Sequence, residues 1–305
     1  MPEADSQLEL DPGAHYRSVW RHLMTTEFCQ GYVQAAGLRT RYIEAGSPSD
    51  PALVMLHGTG GHWETFCATI PVFAAHFHCY AFDMFGCGFT DKPDQPYEIK
   101  EYVGHALAFM DAMAIERASL IGVSLGSWVA CRLALDAPGR VDKMVLNSPA
   151  GLLPLAASAG QAVKNRQDSG ADPSWDNVAR VLAHLFFDRA TLIDDLVAIR
   201  QQVYSLPDVG HLMGRMLTLM DPEVRARNLL TTTEWASITA PTLAIAHVDA
   251  PDDYLTTARR IVELMPNATL AEIHNASHWP HFEQPDAFNA VALNFLRGAQ
   301  APGSS

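Results

Sequence analysis

The most constraining feature of this chain is a strand–helix rhythm that stops and then restarts. Short apolar runs at residues 31–36, 38–45, 53–57, 78–83, 119–123 and 141–147 alternate with helically patterned stretches, notably 99–114 and 125–137. The last three runs are apolar on nearly every residue, as strands covered on both faces are. Such alternation predicts a parallel sheet with helices packed on both sides. It ends near Pro149. Residues 150–235 carry helical patterns only, such as 175–187 and 192–204, the second with Thr191 as its expected N-cap. The rhythm resumes at Pro241 with strand 242–248, helix 253–264, strand 269–274 and helix 283–296. The expected fold class is therefore α/β: a doubly wound, mostly parallel sheet built from 31–149 and 236–297, interrupted by a helical lid at 150–235. Residues 1–30 read as an N-terminal extension whose short helix places Val19, Trp20, Leu23 and Met24 on one face. Residues 298–305 read as a flexible tail.

The 305 residues suffice for one large domain with an insertion. Twenty-one basic against 34 acidic residues give a net charge of −13. That balance argues against nucleic acid and anionic membranes as partners, and a bound anion would need its own local cation. No apolar run reaches the ~18 residues of a membrane span, and the acidic start does not read as a signal peptide. A cytoplasmic protein is expected. Cys29, Cys67, Cys79, Cys87 and Cys131 are odd in number and without a Cys-x-x-Cys pair. They read as free thiols, with Cys79 and Cys131 as small core side chains, and imply no metal.

Gly122-Val123-Ser124-Leu125-Gly126 fits G-x-S-x-G, with a strand running in and a helix running out. A strand-to-helix turn this sharp strains the serine backbone and needs small residues two before and two after it. Ser124 is the expected nucleophile. His57-Gly58-Thr59-Gly60-Gly61 follows another strand, and its turn can aim amides at a ligand. A tetrahedral intermediate needs two such donors, expected from the Thr59 and Leu125 amides. A phosphate loop fits less well, since neither nucleotide-binding glycine pattern is present. His57 reads as ordering its turn.

His278, in the loop after the last strand, is the expected base; His274 and His281 read as structural. The acid should follow strand 242–248. Asp249 comes first and is the expected acid, Asp252 is the alternative, and Asp253 reads as a helix cap.

Together these segments, with Asp83-Met84-Phe85-Gly86-Cys87-Gly88 and His278-Trp279-Pro280-His281-Phe282, resemble the α/β-hydrolase fold over residues 31–297. Within it the chain looks most like the meta-cleavage product hydrolases, which cleave a C–C bond in ring-fission products of aromatic degradation. Trp279 matches that family's His-Trp pair. Arg200 matches its insertion arginine, which binds the dienoate end of the substrate; Gly60 joins these two as a substrate-binding position. The sequence departs from the family at Val123, where Asn is usual, at His62-Trp63-Glu64 after the glycine turn, and at Ala250, where the family's acid aligns.

The resemblance implies a serine hydrolase of a 2-hydroxy-6-oxo-dienoate. It implies no cofactor and a small-molecule substrate, with a homodimer as an option. Three other readings stay open: a carboxylesterase on small apolar esters, a cofactor-free lyase or oxygenase on the same fold, and a binding protein on a hydrolase scaffold.

Overall fold

A computed structural model describes residues 18–156, 159–250 and 252–298. Eight strands form one sheet in the order β1-β2-β4-β3-β5-β6-β7-β8. They are β1 (Phe28–Ala35), β2 (Leu38–Ala45), β3 (Ala52–Leu56), β4 (His78–Phe82), β5 (Ala118–Val123), β6 (Val141–Asn147), β7 (Thr242–His247) and β8 (Ala268–Ile273). β1 pairs with β2 and β2 with β4 antiparallel; every other pairing is parallel. The central strands β4, β5 and β7 are buried along their whole length, which accounts for their continuous apolar sequence.

Helices α1 (Ile99–Ala112), α2 (Leu125–Asp136), α9 (Asp253–Leu264) and α10 (Pro285–Leu296) follow strands of the sheet, the last after a short turn at Pro280–Glu283. Among the described residues six α-helices lie between β6 and β7: α3 (Gly160–Ala171), α4 (Trp175–Ala183), α5 (Asp194–Tyr204), α6 (Val209–Met216), α7 (Pro222–Asn228) and α8 (Thr232–Ser237).

Some local expectations need correction. Thr191 does not cap α5. It closes a 3-10 turn instead, its hydroxyl donating to the Asp188 carbonyl, and α5 starts at Asp194. α4 stops at Ala183, short of Phe186 and Phe187. The N-terminal helix spans only Trp20–Leu23; Trp20 and Met24 are exposed, while Val19 and Leu23 are buried. No helix among the described residues is long and apolar enough to cross a membrane.

The register sets up the site. Leu56 pairs with Gly122, Val123 with Asn147, Asn147 with Ile245, and His247 with Ile273. Five carboxyl ends therefore stand side by side, and the residues just beyond them share one rim.

Candidate active site

Ser124 sits where β5 turns into α2, with φ 53° and ψ −112°. A non-glycine residue in such a conformation is held there by its surroundings. The sequence explains how. A Cβ on Gly122 would come within 2.5 Å of the Gly126 carbonyl oxygen, and one on Gly126 within 2.0 Å of the Leu56 oxygen. Only glycine at both positions lets helix and strands approach closely enough. The Ser124 amide donates to the Asn147 carbonyl (3.0 Å), and the Ser127 hydroxyl donates to the Ser124 carbonyl (2.6 Å).

The glycine turn abuts this elbow. A Cβ on Gly58 would touch the Ser124 Cβ at 3.4 Å. The turn closes through the Gly61 amide to the Gly58 carbonyl (2.9 Å), with Gly60 at φ +65°. His57 braces it from below: its Nδ1 donates to the Gly58 oxygen (2.7 Å), and its Nε2 accepts from the Met84 amide (2.9 Å). Burial holds this imidazole at about 3, so it stays neutral and does structural work. Neither the Thr59 nor the Leu125 amide has a hydrogen-bond acceptor among the described residues.

Beyond the turn lies a buried ionic cluster. Arg41 reaches Asp83 and Glu64, each at 2.7 Å, and Glu64 meets the His62 Nδ1 at 2.9 Å. Burial alone would raise the Glu64 pKa; the hydrogen bonds and charges of His62 and Arg41 outweigh it and hold Glu64 at about 2.

Arg200, on α5, is 2% exposed. Its NH1 donates to the Tyr204 hydroxyl (3.3 Å), its Nε has no partner, and no described carboxylate lies within 4 Å. It stands over the turn: a Cβ on Gly60 would lie 3.6 Å from the Arg200 NH1. A buried guanidinium without a counter-charge is costly unless something supplies one.

His278 is buried against the Tyr254 ring, centroid to centroid 4.2 Å, and its carbonyl accepts from the Ser148 hydroxyl (2.9 Å). Desolvation brings the imidazole down to about 3. The Asp252 charge opposes this, and the His247 and Arg166 charges add to it. Its Nδ1 is buried and unpartnered. Ser124 and the His278 ring make no direct hydrogen bond; catalytic bonds are commonly long until substrate closes them.

Asp249 is not the carboxylate beside His278. Its oxygens accept from the Asn275 amide (2.7 Å) and face the His274 ring (3.3 Å), at the outer end of β8. Asp252 lies on the side of His247 and His278. Its Oδ1 caps α9 through the Tyr254 and Leu255 amides and lies 3.1 Å from the His247 Nε2. Burial would raise the Asp252 pKa, but His247, the Leu255 amide and His278 hold it below the usual carboxylate range. His247 escaped the sequence reading; the signal was a histidine ending an otherwise apolar strand.

Trp279 is packed in an aromatic group with Phe186 (5.5 Å) and Phe282 (6.1 Å), which joins the His278 loop to the insertion. Glu283 strengthens that joint, accepting from the Phe187, Asp188 and Ser277 amides (2.7, 3.3 and 2.8 Å).

Residues 53–291 match the family model described as the alpha/beta hydrolase family. The chain belongs to the alpha/beta hydrolase family. It is 30% identical to the 2-hydroxymuconate semialdehyde hydrolase of Pseudomonas sp. strain CF600, over 89% of this chain and 95% of the relative. It is 26% identical to the 2-hydroxy-6-oxo-2,4-heptadienoate hydrolase of Pseudomonas putida F1, over 87% and 95%. Among solved structures, a mutant of the meta-cleavage product hydrolase of Pseudomonas fluorescens IP01, complexed with acetates, superposes with a TM-score of 0.78. That match has 27% identity and covers 88% of this chain and 98% of the other. Like these hydrolases, the family member described here is an enzyme acting on a small molecule.

Proposed function

We propose that this hydrolase cleaves a C–C bond in a 2-hydroxy-6-oxo-dienoate produced by meta ring fission of an aromatic compound. The observation that carries the reading is Arg200, a buried cation lacking a counter-charge and poised over the glycine turn beside Ser124. The acidic protein needs such a group to hold the substrate's carboxylate in bidentate fashion. The substrate tautomerises to its keto form. An oxygen nucleophile, Ser124 or a water it orients, then adds to the distal carbonyl as His278 takes the proton. The Thr59 and Leu125 amides receive the oxyanion. The C–C bond breaks with its electron pair passing into the dienolate, whose oxygen takes the proton held by His278. If Ser124 itself added, water then hydrolyses the acyl-enzyme; if water added, the acyl part leaves directly as a carboxylic acid. Asp252 orients the base, and Trp279 walls the site. A cytoplasmic location and a dimer fit the same reading.

The test is turnover of a ring-fission product by wild type and Ser124→Ala. The expected result is a fall in kcat of roughly 10⁴-fold or more with substrate binding retained. Fast hydrolysis of p-nitrophenyl esters with no turnover of any ring-fission product would replace the reading with a carboxylesterase.

A further inference from the structure

Asn147, the last residue of β6, and Ser148 beyond it are polar and almost wholly buried, and no step above uses them. Asn147 is flanked by Val123 of β5 and Ile245 of β7. Its carbonyl accepts from the Ser124 amide (3.0 Å), and its side-chain Nδ2 donates to the His281 Nδ1 (2.9 Å). Burial pushes the His281 imidazole down to about 3, so the ring is neutral and that nitrogen can accept. His281 lies in the turn Pro280–Glu283, just past His278, with the Phe66 and Phe288 rings 5.4 and 5.9 Å away. Among the described residues the Asn147 Oδ1 and the His281 Nε2 have no partner, so each side chain makes this one polar contact. Stability does not call for such a pair, since two apolar side chains of the same shape would remove both unpartnered atoms at little cost. What the pair does is span: one residue bonds the backbone of the nucleophile's turn and the turn behind His278.

Ser148 continues the span. Its φ is +46°, a conformation that a residue other than glycine keeps only where its surroundings hold it. Held so, its hydroxyl donates to the His278 carbonyl (2.9 Å), and the same oxygen lies 3.4 Å from the His247 Nδ1. The other nitrogen of His247 lies 3.1 Å from Asp252. Two adjacent residues therefore touch the turn of Ser124, the loop of His278 and the imidazole beside Asp252.

Resting on the reading of Ser124, His278 and Asp252 given above, we propose that Asn147 and Ser148 are positioning residues, which set the register of the His278 loop against the nucleophile's turn. Ser124 and the His278 ring make no direct hydrogen bond, so their approach is fixed through the backbones that carry them. A misplacement of about 1 Å in such a register costs about 100-fold in rate.

The variant that isolates this role is Ser148→Gly. Glycine adopts a φ of this sign without strain, so the backbone is kept while the hydroxyl is lost. On whichever of a ring-fission product or p-nitrophenyl acetate wild type turns over, kcat should fall roughly 10- to 100-fold with KM within about twofold, and the urea midpoint should stay close to wild type. His281→Ala should act likewise, and His281→Asn should recover most of kcat, since its amide oxygen can accept where Nδ1 did. Wild-type kcat in Ser148→Gly, or a loss no greater than the loss of folded protein, overturns the positioning role. Ser124→Ala and His278→Ala on the same substrate separate the two readings. If both keep wild-type kcat, the assignment of nucleophile and base is gone and the positioning role with it. If both lose rate and Ser148→Gly does not, only the positioning role falls. With neither substrate turned over, hydrogen exchange of amides 276–282 decides: faster exchange in Ser148→Gly at an unchanged urea midpoint supports the role, and unchanged exchange overturns it.

Discussion

Arg41 and Arg200 are buried to similar depth, 5% and 2% exposed, one rising from the sheet and one descending from the insertion. Arg41 holds two carboxylates at 2.7 Å. Arg200 has one neutral hydroxyl. The sheet side of the glycine turn is thus electrically finished, and the insertion side is left open. A closed network of charges makes a rigid platform; an incomplete one is a receptor for a charge arriving from outside. The two aspartates after β7 also differ in their partners, Asp249 tied to the loop after β8 and Asp252 to His247.

The largest effect should come from those aspartates. Asp252→Asn is expected to lower kcat by roughly four orders of magnitude, as loss of the triad acid does, and Asp249→Asn by only a few-fold. Steady-state kinetics on the two variants decide it, and the reverse ranking would restore Asp249. Next, Arg41→Met should cost about 3–5 kcal/mol of stability, because it strands Asp83 and Glu64 in the interior. Arg200→Met should leave the urea midpoint unchanged or higher while kcat/KM for a dienoate drops roughly 100-fold. If both variants lose stability alike, the contrast between paired and open sides is gone.

A third contrast is in protons. His57, His278 and His281 sit near 3 and His105 near 4, all through burial. Below about pH 6.5 the unfolded chain takes up protons that these folded imidazoles refuse. Stability should therefore be full above pH 6.5 and fall toward pH 4, each site contributing about 1.4 kcal/mol per pH unit. Urea midpoints measured across that range test this, and a flat profile would contradict it. The smallest effect is expected from His247→Gln. It removes an imidazole from Asp252 but leaves the helix cap, so kcat should fall no more than about tenfold, its acid limb shifting with the altered carboxylate.

The sheet was legible because its signal is local. Continuous apolar runs and Gly122-Val123-Ser124-Leu125-Gly126 each report their conformation within a few residues, and the eight strands lie close to where periodicity predicts them. The sequence reading ranked Asp249 before Asp252 as the acid, but position along the chain does not tell where a loop points its side chains. Asp249 and Asp252 are three residues apart and face different neighbours. The Arg41–Asp83–Glu64 cluster and the grip of Glu283 on Phe187 were invisible for a related reason. Their partners lie 23 to 96 residues apart, and pairs so distant leave no periodic trace. Arg200 was found through resemblance; its lack of a counter-charge emerged only in three dimensions.

Glu283 has a mechanical consequence. One carboxylate grips the insertion at Phe187 and Asp188 and the loop of His278 at Ser277. The insertion cannot shift at that corner without pulling on the loop that carries the His278 imidazole.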